Sequence, residues 1–300
     1  MTLQGTVALV TGASRGCGRG MAVELGAAGA TVYVTGRSTR SGRSPMDRPE
    51  TIEETADRVT AAGGVGIPVC CDHTDITDVD ALARRIRSEQ DGQLDVLVDD
   101  VWGGDPLVQW GTPFWEHDIG RALGAVRNGV DSHLITANRL LPLLVTRGRG
   151  LVIEITDGDT DYYMGCLPYD VVKTTMRRLG HVLADELHPH GVTALALTPG
   201  FLRSEAMLDN FGVTEENWRD ATAADRHFGI SETPHYIGRA VVALAGDPDV
   251  ARWAGRTTST WELMHAYGFT DLDGSQPDCG RYFADAVFGD HPNADPADYR

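Results

Sequence analysis

Val7-Ala8-Leu9-Val10-Thr11-Gly12-Ala13-Ser14-Arg15-Gly16-Cys17-Gly18-Arg19-Gly20 is a short apolar strand that runs directly into a glycine-punctuated turn and then a helix. Gly12 permits the sharp turn, Gly16 lets backbone approach a pyrophosphate, and Gly18 lets the new helix pack close to the strand. The helix start would aim unpaired N–H groups at an anion held in the turn beside Ser14 and Arg15. Met21, Val23, Leu25 and Ala28 give the following segment an apolar face. The same glycines could serve only a tight strand-to-helix turn, but a strand before them and a helix after them favour a dinucleotide-phosphate cradle.

The second parallel strand, Thr31-Val32-Tyr33-Val34-Thr35, ends at Gly36-Arg37. A site for NAD(H) places a carboxylate there to accept hydrogen bonds from a ribose 2′-hydroxyl. Gly36 removes that carboxylate, and Arg37 with Arg15 offers two cations to a 2′-phosphate, so the expected cofactor is NADP(H).

The cradle has the form TGxxxGxG, and far downstream Tyr169-Asp170-Val171-Val172-Lys173 supplies a YxxxK pair. Tyr169 and Lys173 are four apart on a helical pattern and share one face. A nearby ammonium favours the phenolate of a phenol that otherwise titrates near 10. With the two motifs in this order, the chain resembles the short-chain dehydrogenase/reductase family over roughly residues 5–262.

The resemblance implies one doubly wound α/β Rossmann fold, with a mainly parallel sheet of about seven strands and the ligand at the strands' C-terminal edge. It implies a carbonyl reductase, or an alcohol dehydrogenase in reverse, acting on a bulky uncharged substrate. Tyr169 would exchange the proton, and Lys173 would tune it and bind the nicotinamide ribose. Asp72 would contact the adenine, although it could equally belong to the turn that starts the next helix. Pro199-Gly200 would lie beside the nicotinamide, with Phe201 and Leu202 against its ring. Homodimers or homotetramers built through two long helices are also implied.

Several positions depart from the family pattern. Its NNAG segment is Asp99-Asp100-Val101-Trp102-Gly103 here, so one of two carboxylates must be protonated, exposed or newly partnered. Gly129 stands where a second Asn anchors a proton-relay water, with Asn128 as its neighbour. The catalytic Ser falls on Asp157 by strand alignment and on Thr156 by counting back from Tyr169, and both stay open. These departures also fit two rival readings: a non-redox enzyme doing elimination or cyclisation, or a catalytically weak NADPH sensor.

Composition narrows the alternatives. The 300 residues are 42% hydrophobic, enough for one large domain, and no linker, repeat or low-complexity block divides residues 1–300. Residues 203–231 resemble the family's variable substrate loop. There Met207, Leu208, Phe211, Trp218 and Phe228 either line a pocket or form the inner face of a lid. Residues 264–300 are an acidic, aromatic-containing tail left to cover the pocket or a neighbouring subunit. A formal charge of −17 speaks against nucleic acid and anionic membrane surfaces as partners. No stretch reads as a membrane span or signal peptide, so a cytoplasmic protein with a small-molecule substrate is expected. The five cysteines have neither disulfide nor zinc spacing. Asp157, Asp159 and Asp161 alternate as in a calcium loop, but Tyr162 and Pro168 replace the Gly and Glu such a loop needs, so no metal is expected.

Overall fold

The computed structural model describes residues 2–44 and 46–300. Seven strands form one sheet in the order β3-β2-β1-β4-β5-β6-β7: β1 Val7–Val10, β2 Thr31–Gly36, β3 Val65–Cys70, β4 Val96–Asp99, β5 Gly150–Ile155, β6 Val192–Thr198 and β7 Thr257–Ser259. Every pairing is parallel. A parallel sheet needs helical crossovers on both faces, which is why β1, β4 and β6 are buried along their whole length rather than alternating.

One face is covered by α1 Gly16–Ala27, α2 Ile52–Ala61 and, from the other end of the chain, α8 Pro234–Ala245. Met21, Leu25, Val59, Ile237 and Val241 close that half of the core. The other face carries α3 Ile76–Glu89, α5 Ser132–Arg147 and α6 Leu167–Leu187, packed through Leu82, Ile86, Leu140, Leu144 and Leu183. Thr51 caps α2 by accepting from the Glu54 amide at 3.1 Å, and Asp75 caps α3 by accepting from the Thr77 amide at 2.8 Å. The strand order reverses between β1 and β4, which opens a crevice at the C-terminal edge of the sheet.

Helix α4 (Ile119–Val126) runs into α5 through a π-helical turn at Arg127–Asp131. This extra residue per turn corrects the register read from sequence. Gly129 is buried against α6, where a β-carbon would come within 2.4 Å of Val172 Cγ1, and Asn128 is the residue turned to the crevice. The last strand, β7, is only three residues long. Ser259 accepts from the Glu262 amide at 3.3 Å and caps α9 (Thr260–Tyr267), so the chain turns helical after three strand residues.

Asp99 and Asp100 find different solutions to losing the amides. Thr11 Oγ1 donates to Asp99 Oδ1 at 2.6 Å, and the Asp100 amide donates to Thr11 Oγ1 at 2.9 Å, which ties the cradle to the end of β4. Burial pushes the Asp100 carboxyl up to about 7 against the pull of Lys173. Asp99 pairs in register with Glu154 of β5, and His133 of α5 lies between them, 2.5 Å from Glu154 Oε2 and 3.7 Å from Asp99 Oδ2.

Candidate active site

The ends of the central strands enclose one cleft of about 1200 Å³. Gly12, Ser14, Arg15, Gly16, Arg37 and Asp72 line one part of it, and Thr156, Asp157, Tyr169, Lys173, Pro199 and Gly200 line another. Gly18 is the exception among the expected cofactor residues. It stands behind the turn, where a β-carbon would lie 2.7 Å from the Gly12 carbonyl oxygen, so its role is close packing rather than contact.

The glycines fit a dinucleotide phosphate. Gly12 has φ +62°, and a β-carbon there would meet the Asp100 carbonyl oxygen at 2.5 Å. Gly16 has φ +55° and open space on its β-carbon side, with nothing nearer than 3.8 Å. Its amide, the first of α1, already holds an anion: Glu205 Oε2 accepts from it at 2.8 Å, and Glu205 Oε1 lies 3.3 Å from Arg19 Nη1. Here the carboxylate stands in for a phosphate oxygen. Glu205 opens α7 (Glu205–Phe211), which Ser204 caps at the Met207 amide. Asp72 belongs to the turn that starts α3 and also lines the cleft. It accepts from the Thr74 amide and hydroxyl at 2.9 and 2.7 Å, and it faces the cleft paired with Arg37 at 3.4 Å.

At the other part of the cleft the two candidates for the serine position separate. The Thr156 side chain is buried, and its hydroxyl donates to the Lys173 carbonyl at 2.7 Å, so it serves the β5–α6 junction rather than a substrate. Asp157 is the residue brought to Tyr169, whose Oη donates to Asp157 Oδ2 at 2.5 Å. Burial, and then the Asp157 carboxylate, push the Tyr169 phenol well above its ordinary range. This reverses the expected tuning, for a geometric reason. Lys173 Nζ lies over the rings of Trp102 and Tyr169, 5.3 and 5.6 Å from their centroids, while the carboxylate holds the hydroxyl. The phenol is therefore a proton donor in this state.

Trp102 meets the Tyr169 ring edge-on at 5.3 Å and Trp110 meets it at 5.1 Å, so two indoles wall the phenol. Asn128 lines the cleft near them, its amide donating to the Gly103 carbonyl at 3.0 Å. Of the substrate-loop residues, Met207 lines the cleft with Phe201 and Leu202, while Trp218 and Phe228 are buried with Phe211 beneath them. The C-terminal tail supplies α10 (Cys279–Ala286), and Cys279, Phe283 and Phe288 form part of the cleft wall together with Trp261.

The 264–300 tail takes the first of its two expected places, against the pocket, while reading the sequence missed Glu205, the two indoles on Tyr169 and the Asp99–His133–Glu154 cluster, which also gathers three groups able to ligate a metal. Only the last left a clear signal: Glu154 interrupts the otherwise apolar Leu151-Val152-Ile153-Glu154-Ile155. Among the described residues no helix is long and apolar enough to cross a membrane.

Known proteins share this sequence pattern and fold. The family model described as short chain dehydrogenase matches residues 6–212. Dehydrogenase/reductase SDR family member 1 of Mus musculus is 34% identical over 276 residues, covering 91% of this chain and 85% of the relative. The 7alpha-hydroxysteroid dehydrogenase of Clostridium sardiniense is 26% identical over 250 residues, covering 82% and 88%. A solved short chain dehydrogenase from Mycobacterium thermoresistibile superposes with TM-score 0.75 at 22% identity, over 93% of each chain. The glycine cradle, the YxxxK helix and the parallel sheet that joins them thus have one explanation: the chain belongs to the short-chain dehydrogenase/reductase family of oxidoreductases, which use NAD(H) or NADP(H).

Proposed function

We propose that this chain is an NADP(H)-dependent oxidoreductase that passes hydride between the nicotinamide and a polarised C=X carbon of a bulky substrate. The observation that carries this reading is that the Asp157–Tyr169 pair and Lys173 open into the same cleft as the glycine cradle. Gly12, Ser14, Arg15 and Gly16 would hold the diphosphate, Asp72 the adenine end, and Pro199, Gly200 and Lys173 the nicotinamide end. The nicotinamide supplies or accepts the hydride when bound. Tyr169 holds the proton at Oη and gives it to the substrate heteroatom in the reducing direction. Trp102 and Trp110 pack around the phenol and keep water from it. The aromatic wall of Phe201, Trp261, Phe283 and Phe288 supports a bulky partner, as does the hydroxysteroid dehydrogenase among the relatives.

The NADP(H) preference rests on Gly36, which places no carboxylate at the end of β2, and on Arg37 and Arg15 at the cleft. Arg37→Ala is expected to weaken NADPH binding about tenfold while leaving NADH within about twofold, since only the former carries the 2′-phosphate. Calorimetric titration reads both; an equal loss for the two dinucleotides would contradict the assignment.

The homo-oligomer also remains the reading we favour. Ile119 and Leu123 of α4 and Leu167 and Val171 of α6 are exposed i,i+4 pairs on two adjacent helices. A second copy covering this stripe predicts a dimer or tetramer mass by sedimentation equilibrium, and Leu123→Lys is expected to shift it toward monomer; a wild-type monomer would remove the assignment.

A further inference from the structure

The reacting atom of the substrate must sit beside Tyr169 Oη, and the group facing it from the loop after β5 is the Asp157 carboxylate. An ionised carboxylate only accepts hydrogen bonds. The adjacent hydroxyl, Thr156 Oγ1, is spent on the Lys173 carbonyl at 2.7 Å. A carbonyl oxygen approaching Tyr169 would therefore turn its lone pairs toward Asp157 until hydride arrives, and neither Asp157 nor Thr156 offers it a second hydrogen bond. A basic nitrogen meets the same carboxylate as N–H⁺, a charge-assisted pair. The surroundings have the same bias. Asp105 and Asp159 also line the cleft, and Trp102, Trp110, Tyr162 and Phe288 present aromatic rings, the partners a cation finds favourable. Of the cleft's cations, Arg15 and Arg37 line the part with the glycine turn, Arg177 is engaged by Asp161 at 3.5 Å and by the Thr160 carbonyl, and Lys173 lies over the Trp102 and Tyr169 rings.

Resting on the reading of the cleft as an NADP(H) oxidoreductase site, the geometry points to a C=N bond as the reacting group: this chain reduces an imine, held as its iminium by Asp157. The proton on Tyr169 Oη moves to the imine nitrogen, and Asp157 accepts the hydrogen bond of the new N–H. Hydride from a reduced nicotinamide adds to the carbon, and the C=N π pair returns to nitrogen as its lone pair. The carbon is reduced to an amine and the nicotinamide is oxidised. Tyr169 recovers its proton from water. In the oxidising direction the same steps run backward from a secondary amine.

The test uses tetrahydroisoquinoline, protonated at neutral pH, and its neutral oxygen isostere isochroman, each titrated by calorimetry into the protein without dinucleotide. The ammonium is expected to bind at least about tenfold more tightly than the ether, and Asp157→Asn is expected to bring the two within about twofold. With NADPH added, the wild type is expected to reduce dihydroisoquinoline and to leave tetralone nearly untouched. Asp157→Ser, which restores a hydroxyl donor, should reverse that order. Equal binding of the two probes, binding of neither, or faster reduction of tetralone than of dihydroisoquinoline by the wild type would overturn the inference. NADPH binding measured in the same series separates the two claims. If NADPH binds but the probes are not discriminated, only the imine assignment fails; if NADPH does not bind, the cofactor reading fails, and the cofactor-free probes still report on Asp157.

Discussion

Replacing Tyr169 by phenylalanine is expected to lower kcat about a thousandfold while NADPH affinity stays within about twofold. The substitution removes one atom from the cleft. The Phe ring can keep the contacts at 5.3 and 5.1 Å to Trp102 and Trp110, so the wall stands and folding is not at stake. What disappears is the hydroxyl that donates to Asp157 at 2.5 Å and holds the transferable proton. Steady-state rates with NADPH consumption, alongside calorimetry, separate the two quantities. Turnover that survives in this variant would move the proton to another group, with Asp157 the first candidate, and would end the role given to Tyr169.

The second large effect concerns the fold. His133→Leu is expected to cost about 3–5 kcal/mol, which lowers Tm on the order of 10 °C. His133 is fully buried; Nε2 donates to the Val101 carbonyl at 3.0 Å while Nδ1 faces Glu154 at 2.5 Å, an arrangement in which an imidazolium has a partner for each N–H. Although burial opposes the charge, Asp99 and Glu154 raise His133 to about 9. Without it, two buried carboxylates on adjacent strands face each other with Asp99 Oδ2 and Glu154 Oε1 already lacking hydrogen-bond partners. The double variant His133→Leu with Glu154→Leu is expected to recover part of the loss, because it removes one of the two stranded carboxylates and leaves Asp99 with its Thr11 hydrogen bond. The sign of the pH dependence follows. A folded value of about 9 for His133 lies above the unfolded value near 6.5, so this stabilisation is complete below about 6.5 and is lost as pH rises through about 9. Asp100 and Glu232, lifted by burial to about 7 and about 8, act in the same direction. Wild-type Tm should therefore fall between pH 6 and 9 in thermal melts; a Tm that rises over that range would contradict the imidazolium assignment.

The parts of this molecule that local chemistry dictates were legible in its sequence. Strand β1, the Gly12 turn and the start of α1 follow from an apolar run ending in residues able to take positive φ. The 3.6-residue spacing placed Tyr169 and Lys173 on one face of α6. Register failed where local geometry is not standard. A π-helical turn, which no residue pattern announces, moved the cleft position from Gly129 to Asn128. The choice between Thr156 and Asp157 depended on where β5 ends, and a single residue sends the side chain to the opposite side of the strand. Glu205 and Phe283 were out of reach for another reason. Glu205 lies 189 residues from the amide it contacts, and the tail reaches the cleft only because α10 packs against Phe201 and Trp261. Such long-range partners are set by tertiary packing, which leaves no period in the chain.

The most direct measurement is a calorimetric titration of the purified wild-type protein with NADPH and, separately, with NADH. It needs no assumption about the substrate. Binding of NADPH in the micromolar range with NADH at least tenfold weaker is the predicted result, as a 2′-phosphate met by Arg15 and Arg37 requires. Binding of neither dinucleotide at millimolar concentration would contradict the account and leave the cleft without the chemistry assigned to it.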